Sequence, residues 1–298
     1  MKAQFDNQVI SSFALWFEHY LLKDGEAFTN VSGADALFYD ISDTWSITGY
    51  NVYSAPFKQF VYDSSIPGAT IITGVTIKDT SNISTSYQIN SQELLGINYA
   101  EGQAFIKNSA LTNVSSVSGN YAMKQFAVKI TDEPDEKLLF ETKYSSNPKY
   151  PQAQSTGNFE DQEAFPIIYL KRNGSYNEPV AFGGHDFTTI DIRAIVLADN
   201  QFNLDAVCSI FRDKSRDNFY LFQNNEYPFN YIGSLKNGVL FNYDTLVSSK
   251  RVGGGDGAAI KDVRVSRFGA RSDFYDNLTA NIYSAAIDFQ IIKLRVPS

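Results

Sequence analysis

Apolar and polar positions alternate between Thr188 and Leu197: Ile190, Ile192, Ala194 and Val196 fall on one face, Thr189, Asp191 and Arg193 on the other. That pattern predicts a half-buried strand. After Ala198-Asp199-Asn200 the period changes, and Leu204, Val207, Cys208 and Phe211 take the i, i+3, i+4, i+7 positions of one helix face, with Asn200 or Asn203 as N-cap. A helix laid across a sheet follows. Residues 8–23 give a second amphipathic helix, with an apolar stripe of Val9, Phe13, Trp16, Phe17, Tyr20 and Leu21. Ser12, Glu18, His19 and Lys23 lie off the stripe, and Gly25 is placed to end the helix. So much aromatic surface needs a partner, either a sheet of the same domain or a neighbouring subunit. The candidate interface residues on this helix are Phe13, Trp16, Phe17 and Tyr20.

Between these helices the chain reads as β. Runs at Ile71–Ile77, Ile97–Tyr99, Gln103–Ile106 and Met123–Ile130 are separated by turn signals, and 96–105 reads as a hairpin turning at Glu101-Gly102. This spacing predicts a small β-sandwich. Leu138–Lys143 reads as a further strand, 146–159 as a linker or arm, and Phe165–Lys171 as a strand ending in a tight turn at Asn173-Gly174. Gly253 to Gly257 reads as a loop tip. Two strands close the chain, Val263–Phe268 and Asn281–Leu294; in the second, the alternation of Ala285, Ile287, Phe289 and Ile291 slips to Ile292 and Leu294, as a bulge near 291–292 would produce. The expected fold is α+β and β-dominated, a mixed sheet covered by two helices. It divides into a discontinuous α+β domain (1–40 and 160–298), an inserted β-sandwich-like domain (41–145) and the linker.

Composition supports this picture. The 298 residues suffice for a core burying about 75% of the unfolded surface, and 18 Tyr with 23 Phe tilt the chain towards strands. A net charge of −8 argues against non-specific nucleic-acid binding, which needs surplus cations. The polar stretch Met1–Asn7 lacks the form of a secretory signal, and no run is long enough for a membrane span, so the chain is expected to be made in a reducing cytoplasm and to have no membrane partner.

Candidate chemistry is sparse. Cys208 lies on the buried face of its helix and reads as a small hydrophobe. The two histidines have no zinc-site spacing; His19 reads as a surface or boundary residue, and His185-Asp186, after Gly183-Gly184, as turn chemistry. The acidic run Asp132-Glu133-Pro134-Asp135-Glu136 lacks the alternation and central glycine of a calcium loop and reads as a solvated boundary. Gly253, Gly254, Gly255 and Gly257 are not followed by the Lys-Ser/Thr of a phosphate loop. The expectation is a protein that is not an enzyme, with no catalytic residues, no metal site and no cofactor.

Three blocks carry a family likeness: Ser11 to Leu22, Ala55 to Gln59, and Asn177 to Gly184; the strand and helix from Ile192 to Cys208 belong with them. Together they resemble a family of virion structural proteins of tailed bacteriophages, especially those of aquatic bacteria. The order helix, strands, strand, helix, strand resembles the neck and tail-terminator proteins that join head to tail, although the inserted β-rich domain departs from a minimal terminator. The resemblance implies a closed ring, usually a hexamer, touching a connector or stopper, the tail tube and the sheath, with genomic DNA passing through its channel. It implies a place in the virion after assembly in the host cytoplasm. A collar, baseplate or fibre-adaptor protein would share the same composition. A carbohydrate-binding or glycan-degrading β-domain using Trp45 and Tyr50 is the alternative from another class.

Overall fold

A computed structural model describes residues 5–32, 37–40, 47–55, 59–89, 91–141, 165–181, 185–236, 240–268 and 282–295. In chain order the elements are α1 (Phe5–Lys23), β1 (Phe28–Val31), β2 (Phe38–Tyr39), β3 (Tyr50–Ser54), β4 (Gly74–Asp79), β5 (Ser84–Gln88), β6 (Leu94–Asn98) and β7 (Gln103–Lys107). After a 3-10 turn at Asn108–Leu111 come β8 (Val114–Ser118), β9 (Tyr121–Lys124), β10 (Ala127–Ile130) and α2 (Asp135–Glu141). The second half holds β11 (Ile167–Ala181), β12 (His185–Ala198), α3 (Gln201–Arg212), β13 (Asn218–Tyr220), α4 (Tyr243–Val252), β14 (Gly257–Phe268) and β15 (Tyr283–Arg295).

The fold is α+β and β-dominated. Its frame is a six-stranded sheet in the order β10-β11-β12-β15-β14-β13, antiparallel except where β10 runs parallel to β11. Alternation on β12 decides what each face holds. Ile190, Ile192, Ala194 and Val196 join Ala285, Ile287, Phe289 and Ile291 of β15 beneath α1 and α3. Ile195 and Leu197, with Ile167 and Tyr169, make a smaller cluster on the opposite face under Leu138 of α2. The strand and both long helices therefore lie where the periodicity puts them, and α1 with the C-terminal half covers one sheet of the same chain. Asn200 is the cap of α3, its side chain accepting from Asn203 N–H. Among the described residues no helix is long and apolar enough to cross a membrane.

The segment between the helices forms small antiparallel sheets, β2-β3-β7-β6 and β5-β4-β8, and β1 pairs with β9. Their buried side chains, such as Val75, Ile77, Ile97 and Val117, belong to the same continuous core as α1 and the main sheet. The β6–β7 hairpin turns beside Gly102, at φ +64°, as expected. The single run expected at 123–130 is split: β9 and β10 are separated by Gln125-Phe126 and join different sheets. Through β10, the segment expected as an insertion supplies the edge strand of the main sheet.

Three local expectations are corrected. Residues 135–141 are helical, not the start of a strand, because Asp135 and Glu136 follow Pro134 and place acidic side chains in a first helical turn; residues 142–143 lie outside the described residues, as does the linker 146–159. Asn173-Gly174 is no turn: β11 runs on to Ala181, absorbing an extra residue as a bulge between Arg172 and Gly174. The bulge expected in the last strand sits on its neighbour. β15 pairs with β12 without interruption, while β14 carries the extra residue between Ile260 and Asp262, opposite Ile291 and Gln290.

Candidate functional site

The aromatic helix comes first, since its residues were the expected interface. Phe13, Trp16 and Phe17 are buried in the chain's own core. Phe17 stacks on Phe211 with ring centroids 3.7 Å apart, and Phe13 meets Phe289 edge-on at 4.9 Å. Tyr20 is half-buried; Lys214 lies over its ring at 3.6 Å, and burial together with Asp217, Asp24 and Asp244 pushes its phenol up to about 12. A surface for a second copy has to be sought elsewhere.

His19 corrects its assignment as a surface or boundary residue, for it is only 3% exposed. Its Nδ1 lies 2.8 Å from Asp63 Oδ2, its Nε2 3.5 Å from Asp244 Oδ1, and Tyr243 stacks on the ring at 4.4 Å. The other oxygen of Asp63 accepts from Ser65 N–H, Ser65 Oγ and Tyr243 N–H. Burial alone would raise the Asp63 carboxyl, but the hydrogen bonds from His19, Ser65 and the Tyr243 backbone outweigh it and hold the group below its ordinary value. The result is a knot tying α1 to the 59–66 loop and to the first turn of α4. Its centre, His19 and Asp63, is buried, and Asp244, which also pairs with Lys23, reaches solvent.

The acidic run is similarly engaged. Asp135 bonds Lys171 and, at 2.7 Å, Arg193, whose guanidinium also grips Asp288 bidentately at 2.6 and 3.1 Å. Burial is the largest single influence and raises the Asp135 carboxyl, but the hydrogen bonds and charges of Lys171 and Arg193 together outweigh it, and the net shift is downward. Glu133 pairs with Lys137 at 2.8 Å. Among the described residues no group of three His, Cys, Asp or Glu is placed to hold a metal ion. Cys208 is buried, and burial pushes its thiol up to about 11, away from a reactive thiolate. His185 opens β12 opposite Ala181, with 182–184 outside the described residues. Of the aromatics considered for glycan binding, Trp45 lies outside the described residues and Tyr50 is partly buried in β3 opposite Lys107.

What remains open is backbone. β10 covers the outer edge of β11 only from Ile167 to Leu170, and β13 covers that of β14 only from Gly257 to Ala259, with Asp217 and Arg216 bonding Ile260. Beyond them, among the described residues, no backbone hydrogen bond reaches the outer edge of 172–181 or 262–268. Unpaired edges of this length are templates for another strand unless they are guarded. Here the guarding cations are mostly paired within the subunit, Arg172 with Asp6 at 2.9 Å, Arg264 with Asp262 at 2.8 Å and Arg267 with Asp205 at 2.7 Å, and on β11 Pro179 and a second bulge between Pro179 and Ala181 guard only the far end of the edge. Sequence reading missed the β11 edge, because it ended that strand at 171; it read the open part of β14, Val263–Phe268, as a strand but not as an edge.

No protein-family model and no curated protein sequence matches the chain.

Proposed function

We propose that the chain is a structural subunit of a tailed-phage particle, a ring-forming protein of the neck or tail-terminator kind that joins head connector to tail tube and sheath. One observation carries this reading: His19, Asp63, Asp135 and Arg193 are engaged in holding α1, α2 and α4 in place, while among the described residues the longest sheet leaves its backbone open along both outer strands. A catalyst needs such groups to face a cleft that a substrate can enter. A joint needs a stiff block with adhesive rims, and heterologous rims close into rings when the rotation between copies closes.

The reading is tested by measuring the mass of the purified full chain by light scattering and imaging it in negative stain. A discrete multimer, seen as a ring, is expected, with six the number that the family resemblance implies. A monomer at every concentration up to the solubility limit would overturn the proposal, as would antibody labelling that finds the protein absent from virions.

A further inference from the structure

Resting on the ring-subunit reading, we propose that the two open edges are halves of one interface, in which residues 262–268 of β14 pair antiparallel with residues 174–180 of β11 in a second copy of this chain.

Direction comes first. β11, β12, β15 and β14 alternate strictly, so the first and last run opposite ways. A second copy related by rotation about an axis near the strands keeps those directions and brings its β14 to β11 in antiparallel orientation. No flip is needed, and the same step repeats at the other edge.

The faces then restrict the register. Tyr176 and Glu178 share the face of Thr189 and Phe187, and Arg264 and Ser266 that of Asp288 and Ala286, which is the same face of the sheet. A continued sheet must match like faces, so only every second register is allowed. One register that uses all of 262–268 sets Arg264, which within the subunit pairs only with its strand neighbour Asp262, opposite Glu178, and Ser266 opposite Tyr176. Sliding by two residues one way sets Asp262 against Glu178, a like-charge pair; sliding the other way runs residue 262 past the end of β11. Charge complementarity and strand length thus select one pairing.

Stagger agrees with closure. Within a subunit Val265 is level with Leu170, through Ile287 and Ala194. The seat for the neighbour's Val265 is Asn177, so each copy steps along the strands by about six residues across four strands, once the bulge is discounted. At ordinary strand rise and spacing this corresponds to a tilt of about 45°, close to that of closed β-barrels. β10 and β13, covering opposite ends of the two edges, act as stops that enforce the step.

The test is a charge exchange on the full chain, read by sedimentation velocity over a dilution series. Arg264 and Glu178 are exposed, so neither variant threatens the fold. R264E and E178R are each expected to weaken assembly by roughly tenfold or more in concentration, and the double variant R264E/E178R to regain most of it. In addition, S266C with Y176C in one chain is expected to give disulfide-linked ladders under oxidation, and either alone none. If all four charge forms assemble alike, or the exchange restores nothing, the edge interface is wrong while the ring reading stands. If the wild-type chain never assembles, the ring reading falls and this inference with it.

Discussion

At the scale of single residues, the structural importance of His19 and Asp63 was hidden because each is unremarkable in its own segment. His19 falls off the apolar stripe of α1, and only the return of the chain at Asp63, and again at Tyr243 and Asp244, makes it interior. Ser12 behaves likewise, accepting the N–H of Phe222 at 2.9 Å. By contrast Leu204, Val207, Cys208 and Phe211 were legible at once, since a helix on a sheet buries what its own period dictates. Asp63→Ala leaves His19 and the N–H groups of Ser65 and Tyr243 without an acceptor, and a loss of about 3–5 kcal/mol in urea unfolding is expected. Asp135 gives a pH test. Its carboxyl titrates lower in the folded chain than in the unfolded one, so its contribution is complete above about pH 4–5 and is lost as pH falls through the folded value. Asp135→Asn should therefore be less stable than wild type at pH 7, and its stability should fall less steeply below pH 5. Parallel slopes of unfolding free energy against pH would refute the assignment.

Among the elements, α4 was missed although its signals are in the sequence. Asn242 caps it by accepting from Thr245 N–H, Asp244 stands in the first turn, Lys250 and Arg251 in the last, and Gly254, at φ +68°, follows its end. Its weak apolar stripe concealed it, for Tyr243 is its one buried residue. The phase slip in β15 had a different cause from the one inferred: Ile292 and Leu294 lie on the opposite face from Ile291, the face that α1 and α3 do not cover, so the change was in where apolar residues sit and not in the strand's own register. The 229–235 segment shows how the C-terminal half grips the β-rich segment. Ser234 Oγ donates to Ile97 O at 2.7 Å, Tyr99 N–H donates to Gly233 O, and Gly233, at φ +76°, would thrust a Cβ to 2.3 Å from Asn98 Oδ1. Gly233→Ala is expected to lower the melting temperature by several degrees, having both a positive φ and a clash. Gly68→Ala, also at positive φ but in open space, should cost less. Equal effects would show that the approach to Asn98 is unimportant.

Taken as a whole molecule, the chain turns the aromatic faces of α1 and α3 and the His19–Asp63 pair inward and, among the described residues, leaves its longest strands open at both rims. Much of that frame was readable: the helix-covered mixed sheet and the β-rich middle. The open rims were not, because an edge is defined by what fails to pair with it, and no local pattern records an absent neighbour. Amide hydrogen exchange resolved along the chain addresses the rims directly. About half of the N–H groups in 172–181 and 262–268 point outward on an edge strand, and the account predicts that these exchange slowly in the concentrated, assembled protein and quickly after dilution, both segments together. Fast exchange in both segments at concentrations where the protein is demonstrably assembled would contradict it.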